Sequence, residues 1–540
     1  MVLELLSDAT GIPEPVLRVL FSILLAYPIA LFYHIALLRP INLKNAPAIR
    51  NFYIVSTGLA LAYFFNGPDI IHSLITTTVT WLLMWFGNAI DNRKFATALI
   101  FIFNITYLTL GYYYTATDEY DIDWTMTQCV LCLRMIGFAM DFMDGVTLLK
   151  SKESPDEKTT SDNKPAATAN PSSNIKHELT TPRRVPHKQP VSFEKDCRLA
   201  TLPSFLETIG YAYFFGAFLI GPQFSFKLYR KFITFSIYPN PTSIPSGSYK
   251  FALKCFLLGA IYLGAHQIAA GFFPINYLIT EEYSARPFWE KLAFMWFATK
   301  FSFTKYLGVW TLAEGACVLS GISFNGYNEK GQAEWDGLSN VSIYRFEFAT
   351  SLSQIVAAFN TNTNLWSKLY IFKRLMFLGN KNLSSIITLF FLAVWHGTHA
   401  GYFLCFSLEF FDIEVERRWS KRLEPYTRPL YDVKNRDKPL IQLLRRLHLF
   451  ACWFGQTCGL HYAMVPFTLL RWEYSLKAWG AVYYCGHIVF VLLFLDMILP
   501  KRREKKSTEH VNTVENVKLN GESKINGYAK INQNGAIKTE

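Results

Sequence analysis

Long apolar runs separated by short polar breaks recur along almost the whole chain. They lie near residues 15–38, 51–66, 70–89, 95–115, 124–145, 203–222, 251–280, 288–320, 383–412, 445–470 and 477–500. Most approach or exceed the roughly 20 residues a helix needs to cross a bilayer. The pattern predicts an all-α polytopic membrane protein with about 11 transmembrane helices. Pro28, Gly67, Gly137 and Gly271 interrupt several runs, and such spans tilt or re-enter when protein surrounds them. Glu4, Asp8 and Glu14 precede the first run, where a signal peptide would carry basic residues. That run is therefore expected to remain as a spanning helix.

Two stretches break the pattern. Residues 150–200 are rich in Ser, Thr, Pro and Lys. They hold too little apolar surface to offset the entropy of ordering, which predicts a disordered loop. Residues 501–540 form a second polar tail, opening on Lys501, Arg502, Arg503, Lys505 and Lys506. Both are basic, which puts both on the cytoplasmic side, and the six runs between them agree with that. Residues 324–382 mix aromatic, polar and basic residues. Amphipathic interfacial helices or a re-entrant section fit them better than a simple span. The resulting organisation is N-terminal helices at 1–149, the loop at 150–200, a membrane core at 201–500 and the tail at 501–540. No internal repeat is visible.

Composition agrees. Hydrophobic residues make up 51% of the 540 and charged residues 17%, against roughly a quarter charged in soluble domains. The net charge of +12 could suggest nucleic acid. The basic excess instead sits in loops flanking apolar runs, where cytoplasmic topology and anionic lipid account for it. Cys129 and Cys132 form a CxxC inside an apolar run. There they are expected to pack as small apolar side chains.

Polar groups inside apolar runs are the candidates for chemistry. His396 lies near the middle of the 383–412 run, flanked by Gly397 and Gly401, with His399 on roughly the same helical face. A neutral imidazole suits proton transfer near pH 7. It equally suits an interhelical hydrogen bond, and a His396–His399 metal pair lacks a nearby acidic ligand. The run Asn360, Thr361, Asn362, Thr363, Asn364 precedes Trp366; taken alone it reads as a loop or helix cap. Lys368, Lys373, Arg374 and Lys381 form a basic set. They could hold phosphates or mark a membrane boundary. No GxSxG, GxxxxGK[ST] or HExxH is present, and no His is followed five residues later by Asp.

An Asn-containing polar segment followed about 36 residues later by a His in an apolar helix resembles the membrane-bound O-acyltransferase (MBOAT) family. The match looks closest to its lysophosphatidylcholine acyltransferase branch. The residues that carry it are EWDGLSN at 334–340, FNTNTNLWSKLYIFKRL at 359–375, FLAVWHGTHAGY at 391–402 and LETIGYAYFFGAFLIGPQFSF at 206–226. The resemblance runs from about residue 15 to residue 500. It implies a helical membrane core with a buried central chamber, the catalytic core being 201–500. It implies His396 and Asn360 as the catalytic pair, with Asn362 and Asn364 as competitors of Asn360. Trp335, Asp336, Gly337 and Asn340 match the family's tryptophan-aspartate motif. Trp335, Asp336, Asn340, Asn364, Trp366, Lys368, Lys373, Arg374 and His399 are the expected substrate-binding residues.

The reaction implied is transfer of an acyl group from acyl-CoA, as co-substrate, to the free hydroxyl of a lysophospholipid, with no metal and no resident cofactor. In it His396 serves as base, and Asn360 orients the hydroxyl or donates to the oxyanion. The endoplasmic reticulum membrane and a cytoplasmic C-terminus are the expected setting, and no nucleic acid is an expected partner. Protein or sterol acceptors stay open within the family, as does a transporter or scramblase outside it. Asn104, Asn340 and Asn382 open glycosylation sequons expected to stay unmodified.

Overall fold

The computed structural model describes residues 2–38, 45–117, 122–153, 191–240, 243–435 and 437–498. The chain divides into Met1–Leu495 and Asp496–Glu540; everything below concerns the first unit. Described residues are nearly all helical, and no named strand occurs among them. A short helix α1 (Val2–Thr10) leads into five helices that run back and forth: α2 (Glu14–Phe32), α3 (Ala46–Asn66), α4 (Ile70–Ala89), α5 (Arg93–Thr115) and α6 (Trp124–Asp144). Local sequence starts several of them. Asn92 caps α5 by accepting from the Phe95 N–H, and Asp123 caps α6 by accepting from the Thr125 N–H.

Helices α2 to α6 turn their polar side chains inward. Gln128 Nε2 donates to Thr76 Oγ1 at 3.1 Å, Asn104 Nδ2 donates to Thr80 Oγ1 at 3.1 Å, and Ser73 bonds Tyr213 at 2.7 Å. Phe52, Ile71, Trp85, Ile102 and Leu110 face outward and are exposed. This is the arrangement a lipid solvent selects: apolar surface outside, hydrogen-bonded polar groups between helices. It also buries Asn104 completely, so its sequon is inaccessible.

After α7 (Val146–Glu153) come α8 (Phe205–Ala212), opened by a Ser204–Glu207 capping box, and α9 (Phe226–Ile233). The expected span at 203–222 is not a helix. Only Phe205–Ala212 is α-helical, and residues 213–225 are turns and extended backbone. The reason is Arg134, 1% exposed. Its guanidinium donates to the carbonyls of Tyr211, Ala212, Ala217 and Pro222 at 2.9–3.3 Å. One cation thus satisfies carbonyls that a continuing helix would have satisfied itself. The expected disordered loop is also shorter than 150–200 at its C-terminal end. Phe193, Cys197 and Leu199 are buried. The Leu199 N–H donates to the Asp141 carbonyl, and Lys231 pairs with Glu194. These alternating apolar residues are outweighed by polar neighbours in a compositional window. Residues 154–190 of that loop and all of the 501–540 tail lie outside the described residues.

The second half begins with α10 (Ser248–Phe272), α11 (Glu281–Ala285) and the long α12 (Phe288–Ser320). The 324–382 region is a buried excursion of short helices α13 (Ile343–Glu347), α14 (Leu352–Ala358) and α15 (Thr361–Ser367), followed by π and 3-10 turns over Lys368–Leu378. Then come α16 (Lys381–His396), α17 (Ala400–Thr427), α18 (Pro439–Ala463), α19 (Val465–Leu469), α20 (Trp472–Ala481) and α21 (Cys485–Ile498).

Glu14–Leu37, Ala46–Ala89, Arg93–Thr115 and Ser248–Ile279 are long and apolar enough to cross a membrane. Trp472–Ala481 with Cys485–Leu495, bent by 87°, would make a fifth. The count of about eleven fell differently because runs contiguous in sequence are broken in space. The 383–412 run divides at Gly397 and the 477–500 run bends. The 124–145 run carries Arg134, Asp141 and Asp144.

Candidate active site

One large cavity, about 640 Å³, opens between the two halves of Met1–Leu495. Its walls come from the start of α2, the facing ends of α5 and α6, the irregular 219–223 stretch, α10, α12, the 340–363 region and the α16–α17 junction. His396, His399, Asn340 and Asn360 all line it, with Thr363 and Tyr402.

His396 is the last residue of α16. Gly397 ends that helix at φ 141°, a conformation open to glycine. Two hydrogen bonds set the depth of this end. Trp395 Nε1 donates to the Cys129 carbonyl at 2.8 Å, and the Tyr112 hydroxyl donates to the Trp395 carbonyl at 2.9 Å. On the far side Gly401 admits the chain passing it. A Cβ there would lie 2.1 Å from the Pro466 oxygen, so the close approach read from this glycine is made by backbone. The His396 ring is surrounded by aromatics, with Trp395, Phe467, Phe406 and Tyr402 at 4.6–5.6 Å between ring centres. It makes no hydrogen bond among the described residues, so the interhelical bond that a lone membrane histidine usually makes is absent there. A ring held by packing and lining this cavity is suited to accept a proton from a molecule bound there.

Asn360 precedes α15 with φ 49° and ψ 45°, a left-handed conformation that asparagine tolerates better than most residues. Its side chain is oriented by a chain of amides. Asn362 Nδ2 donates to the Leu338 and Ser339 carbonyls at 3.2 and 3.1 Å. Asn340 Oδ1 accepts from the Asn362 backbone N–H at 3.1 Å. A backbone N–H only donates, so this face of the Asn340 amide is its oxygen and the other is its NH2. That NH2 donates to Asn360 Oδ1 at 3.2 Å. The Asn360 oxygen is thereby turned toward Asn340, and its NH2 is the group left for the cavity. Of the two functions open to Asn360, donation to a developing oxyanion is the one this geometry favours.

The same network separates the three asparagines. Asn362 is fully buried. Asn364 is tied through Nδ2 to the Val356 and Phe359 carbonyls at 2.9 and 2.8 Å. Asn360 alone of the three lines the cavity. Asn340→Asp keeps the acceptor for Asn362 but loses the donor to Asn360. It is expected to lower turnover about tenfold, one hydrogen bond's worth, with substrate KM little changed. Steady-state kinetics at matched abundance check this; unchanged turnover would mean that Asn340 does not orient Asn360.

The other expected substrate-binding residues do not line the cavity. Trp335 donates from Nε1 to the Ser246 carbonyl at 3.1 Å, and Asp336 accepts from Asn325 Nδ2 at 2.9 Å, so the tryptophan-aspartate motif braces the 323–340 turn. Trp366 is buried against Gly137, Tyr370 and Phe391. Arg374 is engaged by both oxygens of Asp144, at 3.3 and 2.7 Å. Lys368 and Lys373 are exposed. These three belong to the end of the bundle where α6 finishes, remote along α16 from His396. Cys129 lines the cavity while Cys132 is buried, so the CxxC is only in part a packing feature. The chamber also gains Lys305, His266, Gln267 and Gln223. Each is a polar residue in or beside an apolar run, and that is the signal that could have found them.

A family model described as MBOAT, membrane-bound O-acyltransferase family, matches residues 109–452. The chain is 35% identical over 514 residues to lysophospholipid acyltransferase 5 of Mus musculus, covering 93% of each protein. It is 35% identical over 515 residues to the protein of that name from Homo sapiens, again covering 93% of each. To the lysophospholipid acyltransferase of Schizosaccharomyces pombe it is 26% identical over 527 residues, covering 96% of this chain and 92% of that one.

Proposed function

The chain belongs to the membrane-bound O-acyltransferase family, and on that premise we propose that it moves a fatty acyl group from acyl-CoA to the free sn-2 hydroxyl of a lysophospholipid, lysophosphatidylcholine foremost. The observation that carries this reading is that His396 and Asn360 line one cavity of about 640 Å³. The names of the relatives support the acceptor class. The rings of Tyr112, Tyr306, Trp310 and Trp395 along the cavity suit a quaternary ammonium headgroup.

In the reaction the acceptor hydroxyl gives its proton to His396 while its oxygen attacks the thioester carbonyl. The carbonyl oxygen takes up negative charge, and the Asn360 NH2 donates to it. The tetrahedral centre then collapses and CoA leaves as the thiol, receiving the proton from His396. The thioester is already activated, so no covalent enzyme intermediate, metal or resident cofactor is needed. An apolar wall keeps out water that would hydrolyse the donor. Lys368 and Lys373, exposed at the α6 end, are suited to the phosphates of CoA. The protein works in the endoplasmic reticulum membrane with its C-terminus in the cytoplasm.

Membranes from a host with low background acyltransferase activity, given labelled acyl-CoA and a panel of lysophospholipids, a sterol and a peptide, test this. Diacyl phospholipid is the expected product, detected by mass spectrometry. Acylation of only the sterol or peptide would move the protein to another branch of the family. No acylation by a folded, abundant protein would sink the enzyme reading in favour of transport or scrambling.

A further inference from the structure

Gln223 belongs to the irregular 219–223 stretch of the cavity wall and is 3% exposed. The chain is pinned on both sides of it. The Pro222 carbonyl accepts from Arg134 Nη2 at 3.2 Å, and the Phe224 carbonyl accepts from the Tyr211 hydroxyl at 2.6 Å. Gln223 Nε2 itself donates to the Val130 carbonyl at 2.7 Å. A carbonyl only accepts, so the atom against Val130 is the NH2 and the remaining one is the oxygen. That oxygen, Oε1, is buried and has no hydrogen-bond partner among the described residues.

The amide stands close to the level of His396. Trp395 Nε1 donates to the Cys129 carbonyl, and Gln223 donates to the carbonyl of the next residue. The two side chains therefore meet α6 within one residue's rise of each other, about 1.5 Å. Cys129, Val130, Gln223, Trp395 and His396 all line the cavity. They form one strip of wall, with the unpartnered oxygen and the imidazole at nearly one depth.

An amide oxygen taken from water and left without a donor costs about 1–3 kcal/mol, and folded proteins keep few such groups without a reason. In the reaction proposed above, a reactant can supply the donor. Lysophosphatidylcholine has one, the hydroxyl that reacts, and its proton goes to His396. Its quaternary ammonium has none. Acyl-CoA carries an amide N–H in the pantetheine arm, four bonds from the carbonyl carbon under attack. We infer that Gln223 is a substrate-binding residue whose Oε1 accepts from this N–H and so sets the thioester against His396 and Asn360. The inference rests on acyl-CoA as the donor and adds the residue that holds the thioester end of that donor.

The first test needs no variant. An acyl-CoA whose nitrogen nearest the sulfur is replaced by oxygen keeps the shape of the pantetheine arm and loses that N–H. With the full-length protein in membranes, kcat/KM for this ester analogue should be about tenfold lower than for acyl-CoA, one hydrogen bond's worth. Gln223→Met removes the oxygen at similar side-chain length. It should raise the KM for acyl-CoA about tenfold, leave that for lysophosphatidylcholine unchanged, and use the two donors equally well. Should the methionine protein fail to accumulate, the comparison of donors on wild type decides alone. Three results would overturn the inference. One is equal use of the two donors by wild type, which would leave the oxygen to a bound water. Another is an undiminished preference in Gln223→Met, which would assign the N–H to another acceptor. The third is a rise in the lysophospholipid KM alone, which would assign the oxygen to the acceptor. If wild-type protein uses no acyl-CoA, the underlying reading fails first, and that failure is visible before any analogue or substitution is made.

Discussion

Replacing His396 with glutamine or alanine is expected to lower acyl transfer about a thousandfold, within the range that loss of a positioned general base produces. The ring makes no hydrogen bond among the described residues, so its removal breaks no polar contact there. Glutamine keeps much of the volume among Trp395, Tyr402, Phe406 and Phe467. Abundance and thermal stability in detergent should therefore stay close to wild type for His396→Gln, and product formation under saturating substrates is the readout. Turnover within tenfold of wild type would remove His396 from the proton transfer.

The second large effect concerns Asn360, and two substitutions separate its two properties. Asn360→Gly keeps the left-handed backbone and removes the amide. Asn360→Ala removes the amide and also forces alanine into φ 49°. Both are expected to lose between about a hundredfold and a thousandfold in turnover, as when an oxyanion donor is deleted. Both lose the bond from Asn340, and the alanine protein should be less stable than the glycine protein by about a further 1 kcal/mol. Thermal unfolding of the purified proteins beside single-turnover assays would show this. A glycine variant with normal turnover would leave Asn360 as a backbone device and no more.

The parts of the molecule that repeat were legible before any coordinates. Apolar runs gave the helical membrane character. His396 and Asn360 stood out because an imidazole and an asparagine cluster in such surroundings need a reason. What periodicity hides is where a run stops being one helix. Gly397 divides the 383–412 run with a single residue at φ 141°. Arg134 pulls apart the 203–222 run from another helix altogether. Arg134 is the one cation in the 124–145 stretch, and composition averages it away. The basic set at 368–381 shows the opposite effect. Arg374 is conspicuous in sequence, yet Asp144, 230 residues distant in the chain, engages it. Asn340 was visible as a motif residue, but its task follows only from the direction of hydrogen bonds that no spacing encodes.

Arg134 also fixes an order of events during synthesis. The carbonyls it serves lie 77 to 88 residues further along the chain. When α6 leaves the ribosome, none of them has been made. A lone arginine near the middle of a helix costs about 2.5–3.5 kcal/mol to insert among lipids. Until Pro222 has been translated, the full set of carbonyls that receives this cation in the folded chain does not exist. One wall of the chamber, the 219–223 stretch, is thus made of residues that follow α6 in the chain, and the cavity is complete only when the chain has doubled back on that helix.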